Sequence, residues 1–242
     1  MQILSIGNSF SQDAQTYLYR MAKNMFSVNL FIGGCTLETH FRNMMGDKNA
    51  YSLEICNLRT GFSMSIKEAL LSRAWDVITI QQASPQSYKY DNYFPYVEEL
   101  AAYVRKMCPK AKLYIHETWG YETGSEKIEK HGFRTMEEMS EKVFETYARV
   151  AEKIGADGII PSGHGLLALH KAQEKPVHRD GSHSDLGIGR YMLGCIWYET
   201  LTGKPAPENF SDFDIEVTLE EAALVREIAH KTVIEFLETQ RG

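Results

Sequence analysis

The chain has 242 residues, of which 43% are apolar and 24% charged, and its formal net charge is −6. That length and composition suit one domain, residues 1–242, with a substantial core. The acidic balance excludes a general nucleic-acid binder, which needs a basic face against phosphates, and no run of about 18 apolar residues offers a membrane span.

Met1 leads almost directly into an apolar segment, leaving no room for a signal peptide, so a cytoplasmic location is expected. A trimmed secreted or periplasmic protein would read the same. Cys35, Cys56, Cys108 and Cys195 are scattered with no CxxC pair, which favours reduced thiols over a zinc site or disulfide framework.

In chain order, Ile3, Leu4 and Ile6 form a short strand that stops at Gly7, and Asn8, Ser9 and Ser11 follow. Residues 13–25 then read as a helix with Ala14, Tyr17, Leu18 and Met21 on one face. Val28 to Ile32 is a second strand, closed by Gly33-Gly34-Cys35-Thr36. Residues 37–46 suit a short helix, and 50–64 suit either a hairpin or a loop with extended pieces. Ser65 and Glu68 form a capping box for a helix to about Arg73. Val77 to Gln81 is a third strand, running into Gln82-Ala83-Ser84-Pro85.

An amphipathic helix is expected over 93–107. Leu113 to Ile115 is a fourth strand, opening into His116-Glu117-Thr118-Trp119-Gly120-Tyr121. Residues 122–133 read as a mobile charged loop. Thr135 and Glu138 cap a long helix to about Ile154, and Gly158 to Ile160 is a fifth strand before a helix over about 162–172. Val177 to Gly189 is a loop, followed by helices at about 187–202 and 218–239, the last capped by Thr218 and Glu221.

Alternating strands and helices predict a three-layer α/β/α domain around a parallel five-stranded sheet. Five such strands suit the flavodoxin-like order 2-1-3-4-5, with strand one central. Chemistry on such sheets gathers at the carboxyl edge, where the turns after strands one, two and three meet. Ser9 sits there in the position of a nucleophile, although Asn8, Ser9 and Ser11 also suit a plain turn and helix cap. Acyl transfer needs a nucleophile, a base, a group orienting that base, and donors for the oxyanion. Ser9, His183 and Asp180 are the candidates for the first three roles. The N–H groups of Ser9 and Gly34, with the Gln82 amide, are the candidates for the fourth.

With both ends in view, the chain resembles the SGNH (GDSL-like) hydrolase superfamily. The likeness runs from Ile3-Leu4-Ser5-Ile6-Gly7-Asn8-Ser9-Phe10-Ser11 to Arg179-Asp180-Gly181-Ser182-His183. Within the superfamily it is most similar to a branch of uncharacterised bacterial proteins opening with a strand and a G-N-S-F-S turn. The resemblance implies Ser9 as nucleophile, Asp180 and His183 in a D-x-x-H block, and Gly34 as the glycine donor. Two blocks depart from the family pattern. Asn8 stands where G-D-S carries an acid, and the third block has Gln81-Gln82-Ala83-Ser84 in place of an asparagine. Gln82, with Gln81 as its competitor, is the substitute implied by relatives with a Q-G-E version.

His116 and Trp119 after strand four and His164 after strand five stand on the same edge and are candidates for pocket lining. His40 after Glu38 has no second ligand at helical spacing, so no metal is expected. The expectation is a cofactor-free serine esterase acting on a small acyl ester, an O-acetyl group on a carbohydrate being the favoured substrate. The alternatives are a non-catalytic carbohydrate- or anion-binding module and, from the fold alone, a flavin-binding protein.

Overall fold

The computed structural model describes residues 1–240. Its elements are β1 (Gln2–Gly7), α1 (Ser9–Gln15), α2 (Leu18–Met21), β2 (Phe26–Phe31), α3 (Leu37–Met45), β3 (Tyr51–Ile55), β4 (Leu58–Met64), α4 (Ile66–Leu71), β5 (Val77–Ile80), α5 (Tyr96–Met107), β6 (Lys112–His116), α6 (Glu126–Lys130), α7 (Met136–Ile154), β7 (Gly158–Ile160), α8 (Ser162–Ala172), α9 (Ile188–Thr202) and α10 (Leu219–Thr239). No described helix is long and apolar enough to cross a membrane.

The sheet has seven strands in the order β4-β3-β2-β1-β5-β6-β7, and it is mixed. This corrects the expectation of a five-stranded, wholly parallel sheet. Strands β2, β1, β5, β6 and β7 pair in parallel, while β3 and β4 add an antiparallel hairpin outside β2. The hairpin turns at Cys56-Asn57, both with positive φ, and Cys56 N–H bonds the Ser27 carbonyl on β2. A tight turn between two short strands therefore resolves the ambiguous stretch at 50–64.

Helices cover both faces, α3, α4, α5 and α7 packing together on one and α1, α8, α9 and α10 on the other. Ile3, Leu4 and Ile6 of β1 are wholly buried, as a central strand covered on both sides requires. Trp197 and Tyr191 of α9, in the second layer, are among the largest fully buried side chains.

Two local readings change. The helix expected over 13–25 begins at Ser9, because Asn8 caps it by accepting from Phe10 N–H at 2.9 Å, and it breaks between Gln15 and Leu18. The segment 122–133 is not a featureless loop: it carries α6, capped by Ser125 and anchored by the buried Ile128. Glu122 N–H also bonds the Gly181 carbonyl, tying this segment to the loop ahead of α9.

Candidate functional site

Strand β1 ends at Gly7 because nothing larger fits: a Cβ there would meet Ser11 Oγ at 2.0 Å and Asn29 Oδ1 at 3.2 Å. The chain then turns at Asn8, and Ser9 becomes the first residue of α1. Asn8 is buried and fully engaged. Its Oδ1 accepts from Phe10 N–H and from Gln81 Nε2 at 2.7 Å, and its Nδ2 donates to the Cys35 carbonyl at 3.3 Å. An aspartate could not make that last bond, which holds the turn after β2 against the turn after β1. In that second turn Gly34 has φ +63°, a conformation glycine takes at little cost.

From the far end of the chain, the loop before α9 brings in His183. Ser9 Oγ lies 2.8 Å from His183 Nε2, and His183 Nδ1 lies 2.7 Å from Asp180 Oδ2. Asp180 Oδ1 accepts from the backbone N–H of His183 at 2.9 Å and of Ser182 at 3.1 Å, and from Lys127 Nζ at 3.2 Å. Burial alone would raise the Asp180 pKa, yet the hydrogen bonds from His183 and Ser182 hold it well below the usual carboxylate range. Asp180 is thus held as an anion at neutral pH.

The loop is fixed from three sides. Trp119 Nε1 donates to the Ser182 carbonyl at 2.8 Å, and the Trp119 ring stacks on Phe10 at 4.1 Å. His178, neutral because burial lowers its pKa to about 4, donates through Nε2 to the Gly120 carbonyl at 3.0 Å. Behind the serine, the buried Asp13 of α1 receives Arg179 Nη1 at 2.9 Å and Arg190 Nε at 2.9 Å. One carboxylate on the helix that carries Ser9 therefore holds two guanidinium groups that flank His183 in sequence.

Ser9 and His183 open into a cavity of about 530 Å³, whose other walls include Phe10, Gly33, Gly34, Ser84, Tyr121 and Lys127. Ser84 Oγ and Tyr121 OH are paired there at 2.8 Å. Among the described residues, neither Ser9 N–H nor Gly34 N–H has a hydrogen-bond partner.

Four expected lining residues stand elsewhere. Gln81 lies beneath the floor, its Oε1 accepting from Ser11 Oγ and from His116 Nδ1 at 2.6 Å. His116 is wholly buried, and the lack of solvent lowers its pKa to about 3, so it is a neutral donor in the core. Trp119 is also wholly buried and acts as a support. His164 faces a different cavity, between α8 and α10, where Nδ1 bonds the buried Glu117 at 2.8 Å and the ring stacks on Phe144.

Gln82 needs the same correction. Its Oε1 accepts from the N–H groups of Leu37 and Ala83, and its Nε2 donates to the Asn92 carbonyl at 3.2 Å. It lines an adjoining polar cavity of about 320 Å³ with Thr36, Glu38, Gln86, Asp91 and Asn92. The side-chain amide expected in the oxyanion role thus braces the start of α3 instead.

Sequence reading missed Lys127, Ser84 and Tyr121. The signal for Lys127 was the Ser125 cap three residues ahead of Ile128, which marks a helical turn within the charged segment. Among the described residues no cluster of three His, Cys, Asp or Glu side chains could hold a metal. His40 bonds Tyr51 OH at 2.9 Å and is kept neutral by burial, its pKa lowered to about 3.

The family model for DUF4886, a domain of unknown function, matches residues 2–232. A DUF4886 family protein from Bacteroides uniformis has a similar crystal structure, with TM-score 0.85 and 32% identity over 97% of this chain and 95% of that one. A proposed SGNH hydrolase from Slackia heliotrinireducens aligns with TM-score 0.62 and 22% identity, covering 83% of this chain and 98% of its own. A proposed GDSL-like lipase from Parabacteroides merdae aligns with TM-score 0.54 and 16% identity, covering 82% and 94%. These two likenesses are of fold. Among curated proteins, none matches this chain.

Proposed function

This chain belongs to the DUF4886 family, and from the geometry of its site we propose that it is a serine esterase acting on a small acyl ester. The observation that carries the reading is the unbroken line from Ser9 Oγ through His183 to Asp180, opening into a cavity. His183 Nε2 takes the proton of Ser9 Oγ as the oxygen attacks the acyl carbon. Asp180 accepts from Nδ1–H, which fixes the tautomer and stabilises the imidazolium. The tetrahedral oxyanion is received by the N–H groups of Ser9 and Gly34, and each such donor is worth about 2.7–4 kcal/mol in other hydrolases.

His183 then returns the proton to the departing alcohol as the carbon–oxygen bond breaks, leaving an acyl-serine. A water deprotonated by His183 attacks that ester, and Ser9 is regenerated with release of the acid. No cofactor enters these steps. An acetyl group on a carbohydrate is the favoured substrate, because the adjoining cavity offers amides and carboxylates that match sugar hydroxyls, with Phe94 and Tyr96 beside them.

The test is hydrolysis of p-nitrophenyl acetate by the wild type and by Ser9→Ala, with fluorophosphonate labelling of both. We expect turnover and labelling by the wild type, and a loss of at least about 1000-fold in the variant. Equal rates in both proteins would exclude Ser9 as the nucleophile. Ligand binding that survives loss of His183, with no ester turned over, would point instead to a binding module on this fold.

A further inference from the structure

The Ser9 cavity is electrically lopsided, and the bias runs against the chain as a whole. The protein carries a net charge of −6. Yet the cavity is lined by Lys127 and Lys130 and by no carboxylate. Both lysines come from one turn of α6, a segment held in place by the buried Ile128 and by Glu122 N–H on the Gly181 carbonyl. Lys127 also bonds Ser182 Oγ at 2.8 Å as well as Asp180, so its position is set by the histidine loop. Lys130 is the solvent-facing member, with Glu126 the nearest acid at 4.0 Å. His131 lines the same wall, and burial together with Lys89 lowers its pKa, so it adds a neutral donor rather than a third charge.

The adjoining cavity has the opposite character: Glu38 and Asp91 line it, and no lysine or arginine does. A ligand spanning the two would meet cations on the α6 side and acids on the α3 side. We propose that the ester accepted at Ser9 carries an anionic group, lodged between Lys127 and Lys130 at the α6 wall. This rests on the esterase reading for its chemistry, but the recognition it describes can be measured without turnover. Cations at a cavity mouth raise the local concentration of an anion and lose that effect as salt screens them.

The probes are 4-acetoxybenzoate and 4-acetoxybenzamide, near-isosteres that differ in one negative charge. Each enzymatic kcat/KM is divided by the ester's own alkaline hydrolysis rate. At low ionic strength the anionic ester should be preferred on the order of fivefold, the size expected of solvated charge pairs. That ratio should fall towards one in Lys130→Ala, invert in Lys130→Glu, and persist in Lys130→Arg. It should also shrink as sodium chloride rises from about 0.05 to 0.5 M.

Binding of the same uncleaved esters to Ser9→Ala, followed by chemical-shift changes, separates this proposal from the esterase reading. Tighter binding of the anionic ester that Lys130→Glu abolishes supports the proposal even if neither ester is hydrolysed by the wild type. Turnover of both esters with equal preference, or binding that ignores both the charge and Lys130, overturns it and leaves the esterase reading standing.

Discussion

At the scale of single residues, Asn8 shows what an amide does at a turn where an acid would fail. Gln81 Nε2 donates into Asn8 Oδ1, and Asn8 Nδ2 donates onward to the Cys35 carbonyl. The three turns at the sheet edge are thereby laced into one hydrogen-bonded run that also takes in His116. Asn8→Asp would set a carboxylate oxygen against the Cys35 carbonyl in a buried place. We expect it to lower stability by about 1–3 kcal/mol, the cost of a buried acceptor left without a donor, and to slow turnover by loosening the turn that holds Gly34. Thermal unfolding and kcat/KM measured together test this; an unchanged melting temperature would contradict it. That Ser9, Asp180 and His183 come together was legible because each sits in a short motif. Gln82 was misassigned because a motif names a residue type and not the direction of its amide, which here is set by Leu37, Ala83 and Asn92.

At the scale of elements, the parallel strands and the capping boxes could be read directly, since both are local patterns. Ser65 with Glu68 and Thr218 with Glu221 each make both halves of the box. Strand β4 was ambiguous because nearly all of it is exposed, so no alternation marks an inner face. Helix α6 was hidden because five residues with one buried side chain give no periodicity. Wholly illegible was the tie between α1 and the loop before α9, which joins Asp13 to Arg179 across 166 residues and to Arg190 across 177. Asp13 is buried and both guanidinium groups are largely so. Asp13→Ala should therefore cost about 3–5 kcal/mol, the penalty for stranding buried charges, and should release the loop that carries His183. Urea unfolding gives the stability, and a cost below 1 kcal/mol would mean that solvent replaces the carboxylate.

For the whole molecule, the sequence predicted the alternation of strands and helices but not the extent of the sheet, because a hairpin added at an edge leaves the central pattern untouched. Acid sensitivity is a property of the same scale. His40, His116 and His178 are buried as neutral rings, with pKa values lowered by burial to about 3, about 3 and about 4. In the unfolded chain each takes up a proton near pH 6.5, whereas the folded protein resists until near pH 4 or below. Their contribution to stability is thus fully present above pH 6.5 and drains away as the pH falls from there. Each site costs about 1.4 kcal/mol per pH unit once the unfolded form is protonated. The urea midpoint should drop steeply between pH 6 and pH 4.5, and replacing His40 by Gln should make the slope shallower. A midpoint that stays level across that range would show that these rings are charged in the native state.

The separation of 174 positions between Ser9 and His183 also has a consequence in time. At about 5–20 residues per second, a ribosome makes the serine turn roughly ten seconds or more before it makes His183. A chain interrupted between Ile160 and Asp180 holds Ser9, the glycine turn and all seven strands, but not the imidazole that pairs with Ser9. On the esterase reading the growing chain is chemically silent until His183 has been made, and arrival of the Arg179–Arg190 segment on Asp13 both closes the structure and switches it on.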